Sequence, residues 1–155
     1  GFRNNIRVKE HEQIIIDITA PTADYFSLSG TGDINVEGDL ACNNLYLTVS
    51  GVGNIFVQKA NIQGELKAKI SGSGDIRVTN GIAVDEDLSI SGSGNIDFLD
   101  VAVTRAETHT SGSGSMKVNV SQRLESYISG SGWVYYKGNP VVVKSISGSG
   151  QVRPY

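Results

Sequence analysis

The 155-residue sequence contains one cysteine and three prolines. Cys42 alone cannot close an internal disulfide, so the fold must rest on an apolar core, which a chain of this length can bury. No apolar stretch approaches the roughly 20 residues that a membrane-spanning helix needs. No signal-peptide pattern opens the sequence either, and Gly1 is compatible with a leader already removed. Basic residues are not in excess: 13 Lys and Arg face 16 Asp and Glu, for a net charge of -3. They are scattered without a stripe, which argues against a nucleic-acid binder. With 19% charged and 39% hydrophobic residues, a highly charged disordered segment is excluded as well.

Glycine is what the chain has in plenty, 19 of 155 residues against a usual share of roughly 7%. With so little proline this is not linker composition. Fourteen of those glycines fall in seven copies of Ser-Gly-x-Gly, beginning at Ser29, Ser50, Ser71, Ser91, Ser111, Ser129 and Ser147. The spacings are 21, 21, 20, 20, 18 and 18 residues, the mark of a repeat architecture. The two-residue contractions are most easily absorbed by shortening one turn of each coil.

Around each motif the residues alternate as strands do. Two positions after the second glycine stand Ile34, Ile55, Ile76, Ile96, Met116, Val134 and Val152, and two further on Val36, Val57, Val78, Phe98, Val118, Tyr136 and Pro154. The intervening Asn35, Phe56, Arg77, Asp97, Lys117, Tyr135 and Arg153 are mostly polar. Leu28, Val49, Ile70, Ile90, Thr110, Ile128 and Ile146 precede the motif, each after a residue of an outward column that includes Ser89, His109 and Tyr127. Period-2 alternation predicts at least two short strands per coil. A helix would scatter these residues around its axis and lose about 1 kcal/mol at each glycine.

The pattern predicts an all-β, single-stranded right-handed parallel β-helix of about seven coils of 18–21 residues, with like positions stacked about 4.8 Å apart. Ser-Gly-x-Gly is its corner, since glycine permits positive φ and close backbone approach. Residues 1–155 read as one domain. Residues 1–24 form a cap or first coil with strands at Ile6–Val8 and Ile14–Ile18, and residues 25–155 hold the repeats.

Ser-Gly-Ser-Gly-(Asp/Asn)-Ile, as in Ile70–Ile76 and Ile90–Ile96, resembles the bacterial family described as "putative auto-transporter adhesin, head GIN domain". So does the closing stretch from Ile128 through Trp133-Val-Tyr-Tyr-Lys-Gly-Asn-Pro140 to a final Ser-Gly-Ser-Gly at Ser147. The resemblance covers about residues 25–152 and departs at Ser115 and Trp133, where the family favours Asp or Asn. It implies a right-handed β-helix exported to the periplasm or cell surface, often behind a lipoprotein signal. It brings no catalytic or binding residues with it.

The column after the second glycine reads Asp33, Asn54, Asp75, Asn95, Ser115, Trp133, Gln151. Its alternation predicts a turn-capping ladder in which each amide donates to a neighbouring carboxylate. A calcium-binding β-roll would need a nine-residue repeat with doubled glycines, so no metal is expected, and acidic Asp85-Glu86-Asp87 reads as a solvated turn. Asp33 and Asp75 raise the alternative of a glycan-cleaving enzyme, but the short turns offer no cleft. His11 and His109 are the available bases, no Gly-x-Ser-x-Gly elbow or phosphate loop is present, and Cys42 has no base beside it. No catalytic residue and no cofactor is expected.

The mild anomaly is a set of outward aromatics in one coil, Tyr127, Trp133 and Tyr135, with His109 a coil below Tyr127. These four are the candidate ligand or partner surface. The chain is thus expected to be a non-enzymatic, extracytoplasmic envelope protein, an adhesin or scaffold, lipid-anchored through a removed N-terminus or free, whose partners are glycans or envelope proteins. The alternatives are a carbohydrate-active β-helix enzyme and a scaffold self-assembling through its coil ends, against which Pro154 in the final strand argues.

Overall fold

The computed structural model describes residues 22–155, so the expected cap lies outside the described residues except for Thr22–Asp24, which belong to no strand. From Tyr25 onward the chain winds into a parallel β-solenoid of about six turns, with no helix among the described residues. One face stacks seven rungs: β1 (Tyr25–Gly30), β3 (Leu45–Gly51), β5 (Glu65–Gly72), β8 (Asp85–Gly92), the second halves of β9 (Asn95–Gly112) and β10 (Ser115–Gly130), and β12 (Val141–Gly148). The next face stacks β2 (Asp33–Cys42), β4 (Asn54–Ile62), β6 (Asp75–Val78), the first halves of β9 and β10, β11 (Trp133–Lys137) and β13 (Gln151–Pro154). Every pairing is parallel.

The register follows the motif. Ser50 pairs with Ser71, Gly51 with Gly72, and Ile55 with Ile76. Ile55, Ile76, Ile96, Met116 and Val134 are fully buried, as are Val49, Ile70 and Ile90. The Ser-Gly-x-Gly segments form the corners between the two faces. There the carbonyl of Gly51 accepts hydrogen bonds from Ser73 and Gly74 of the next coil at 2.9 and 3.3 Å, so the ladder is not interrupted at the bend.

Two features depart from the sequence reading. A third short strand completes the coils as far as Val120: Ala60 pairs with β7 (Gly81–Ile82), which pairs with Val101–Ala102, and Ala102–Val103 pair with Asn119–Val120. The contraction from 20 to 18 residues is made where the second face bends into this third one. Asp97 to Ala102 is matched by Lys117 to Asn119, three residues fewer, and one residue is regained between Val120 and Arg123.

The second departure is Glu86. Asp85-Glu86-Asp87 is not a solvated turn but the start of β8, and alternation turns Glu86 inward in register between Leu66 and Ala106. Its neighbours stay outside and are paired. Asp85 accepts from Arg105 at 2.6 and 2.7 Å, which lowers its pKa, and Asp87 pairs with Lys67. Both oxygens of Glu86 are buried without a hydrogen-bond partner among the described residues. Burial pushes its pKa well above the ordinary 4.5.

Because the folded state holds this proton more tightly than the unfolded one, Glu86 costs stability as pH rises from about 4.5 toward its folded-state value. The loss is about 1.4 kcal/mol per pH unit within that window. Glu86→Leu restores an apolar column with Leu45, Leu66 and Leu124. It should stabilise the protein by about 2 kcal/mol or more at pH 7, the cost of an unpaired buried polar group, and remove the slope. Urea unfolding at pH 5 and pH 8 measures both, and an unchanged slope in the variant would exclude the buried carboxyl as its source.

Candidate functional site

Outward positions on the solenoid faces are the places where side chains are free to meet a ligand, and alternation fixes which residues occupy them. His109 on β9 and Tyr127 on β10 are register partners on the first face. Their rings stack with centroids 4.9 Å apart and planes 11° off parallel. His109 Nε2 lies 2.8 Å from Glu107 Oε1, and Tyr127 Oη donates to Glu125 Oε2 at 3.1 Å. Glu125 also accepts from Arg123 at 2.6 Å; that bond is the main reason its pKa is lowered, while the bond to Glu125 raises the pKa of the Tyr127 phenol. The acidic partners thus hold both rings against the sheet. Beside them runs an open groove of about 370 Å³, lined with the hydroxyls of Ser91, Ser111, Ser129 and Ser147.

Trp133 and Tyr135 lie elsewhere. They stand on β11, past the corner Ser129–Gly132, on the second face. The four candidate residues therefore form two patches, not one: chain proximity placed them in a single coil, but the corner turns them apart. Trp133 and Tyr135 have centroids 6.0 Å apart and are joined by Arg153, whose guanidinium carbon lies 4.4 Å from the Trp133 centroid and 5.1 Å from that of Tyr135. Tyr155 meets Tyr135 edge-on at 6.4 Å, and Lys117 Nζ lies 5.6 Å from the Tyr155 ring. Lys117, Arg153 and Tyr155 were not among the sequence candidates. The signal for two of them was present, because Lys117, Tyr135 and Arg153 share one outward column in successive coils.

The glycine-following column is the ladder its alternation predicts. Asn54 donates through its backbone N and its side-chain amide to Asp33 Oδ1, at 3.0 and 2.9 Å. Asn95 repeats this on Asp75 at 2.8 and 2.9 Å. The amide oxygens of Asn54 and Asn95 accept from the backbone N of Asp75 and Ser115 at 3.0 and 3.2 Å. Asp33 and Asp75 therefore serve the backbone of the coil that follows each of them. Cys42 is half-buried, with its thiol pKa raised by burial and then by Asp24, the opposite of an activated nucleophile.

Comparison with known proteins gives the fold a context. The sequence model of a family described as "putative auto-transporter adhesin, head GIN domain" matches residues 2–140, taking in the N-terminal segment as well as most of the repeats. A crystal structure of a putative lipid binding protein from Parabacteroides distasonis is similar with a TM-score of 0.82 and 30% identity, covering 86% of this chain and 54% of that one. A putative adhesin from Bacteroides fragilis gives 0.79 and 27%, covering 88% and 62%. A putative adhesin from Parabacteroides distasonis gives 0.76 and 27%, covering 84% and 58%. The chain spans little more than half the length of these structures. No curated protein matches it.

Proposed function

The chain belongs to the "putative auto-transporter adhesin, head GIN domain" family, and from that premise we propose that it is a non-enzymatic adhesion module working outside the cytoplasm, at the bacterial surface or in the periplasm. Its ligand is a glycan or an envelope or matrix protein. The observation that carries this reading is the His109–Tyr127 stack, two aromatic rings held on a rigid sheet beside a hydroxyl-lined groove. Rings fixed in this way offer apolar area and hydrogen-bond donors together, with little conformational entropy left to lose. The similar structures named as adhesins support it, and none of those three is named as an enzyme.

A glycan-cleaving reading has less behind it. Asp33 and Asp75, the carboxylates that would form its pair, are engaged in capping the next coil. His109 faces a carboxylate, and no serine hydroxyl among the described residues is bonded to it.

Purified protein screened against glycan and matrix-protein arrays tests the adhesion reading. Tyr127→Ala should weaken the strongest interaction roughly tenfold, equivalent to about 1.4 kcal/mol, with its circular dichroism and melting unchanged. Retention of every detected ligand by the folded variant would exclude this groove.

A further inference from the structure

The second patch has a chemistry of its own. Residues 126–155 contain Lys137, Lys144 and Arg153 and no aspartate or glutamate, in a chain whose net charge is -3. Positive charge is thus concentrated in this stretch of an acidic chain. The guanidinium carbon of Arg153 lies over the Trp133 and Tyr135 rings, and a cation–π contact of this kind uses none of its N–H donors. Its hydrogen bond among the described residues is a long one, from Nη2 to Tyr135 Oη at 3.4 Å. No carboxylate among the described residues pairs with it. Lys117 adds a second cation below, tethered to Asp97 Oδ2 at 3.3 Å. Tyr155, two-thirds exposed at 67%, presents a ring beside both.

We propose that this patch binds the acidic sugars of a carboxylated glycan. Arg153 takes the carboxylate through two parallel N–H···O bonds, Lys117 adds long-range attraction, and Tyr155 offers its open face to the pyranose ring. Trp133 is half-buried beneath Arg153, so it does not project as an apolar anchor would into a membrane. A flat face with fixed cations matches a linear polyanion instead. The assignment rests on the adhesion reading only for the setting in which such glycans are met, and it uses residues separate from the His109–Tyr127 groove.

Trp133 is the single tryptophan of the chain, so its fluorescence reports on this patch and not on the groove. The full chain is titrated with oligogalacturonate, with neutral oligogalactose and with vesicles of phosphatidylcholine and phosphatidylglycerol. Oligogalacturonate should change the emission saturably, with an affinity that falls as salt rises. Arg153→Gln should weaken it about tenfold or more, Arg153→Lys should recover only part of the loss, and Tyr127→Ala should bind as the parent does. Both replaced side chains, Arg153 and Tyr127, are exposed, and unchanged melting confirms the fold. Equal response to the neutral oligomer, an emission shift with vesicles alone, an unaffected Arg153→Gln or an equal loss in Tyr127→Ala would each overturn the proposal. A failure here leaves the groove standing, and loss of array binding in Tyr127→Ala does not bear on Arg153.

Discussion

Ile76→Asp should leave the protein unfolded at neutral pH. Ile76 is fully buried, belongs to the apolar core and is in register with Ile55 and Ile96. An aspartate placed there is either ionised without a partner, at an effective cost of several kcal/mol, or protonated at the cost of raising its pKa. Either way the loss, added to that of the buried isoleucine, of about 2–5 kcal/mol for a truncation, is comparable with a typical total stability of about 5–15 kcal/mol. The defect should ease below about pH 4, where the carboxyl is protonated in both states. Far-ultraviolet circular dichroism across pH, together with proteolysis, decides it. A fully folded variant at pH 7 would mean that the inward column is not the one described. Glu86 shows the limit of what this core accepts: one carboxyl, its pKa raised by burial, at a position where Ala106 is the small neighbour on the next rung.

Gly74→Ala should destabilise nearly as much, although it adds a single methyl group. A Cβ built on Gly74 overlaps the carbonyl oxygen of Gly53 and comes within 2.8 Å of Val49 Cγ1. The first of these is backbone, one rung away, and cannot swing aside. To relieve the overlap the two coils must separate at the corner, where Gly74 N donates to Gly51 O. A loss of about 3 kcal/mol or more is expected, as for overpacking of a tight core. Gly32→Ala is the control. It occupies the same motif position on the first rung, where a methyl group meets nothing within 4 Å among the described residues. It should cost less than about 1 kcal/mol. Equal effects of the two substitutions in thermal and urea unfolding would show that close approach between coils is not what requires glycine here.

The stacked coils and their register were legible because one short motif recurs, and because inward isoleucine and valine alternate with outward polar residues on both sides of it. Ser50 over Ser71 and Ile55 over Ile76 follow from that alone. The third strand was not legible. It is two to four residues long, one of its stacked columns runs Leu40, Ala60, Gly81, Val101, and no repeated residue marks it. Glu86 misled for a different reason. Flanked by Asp85 and Asp87 it reads as a charge cluster, whereas the period of two separates it from both. For the candidate site, alternation correctly sends His109, Tyr127, Trp133 and Tyr135 outward. The corner between Tyr127 and Trp133 then decides that they serve two surfaces, and angle is something a linear spacing does not carry.

The capping ladder also bears on how long such a rod can be made. Aspartate and asparagine alternate from Asp33 to Asn95, each amide lying on a carboxylate or beneath one. Excising residues 54–74 would bring Asp75 directly onto Asp33, two acceptors with no side-chain amide between them. Excising residues 54–94 would bring Asn95 onto Asp33 and keep every pairing. In this stretch the indel that preserves the seam is therefore an even number of coils. Parity, and not only the coil period, constrains how such sequences grow and shrink by duplication.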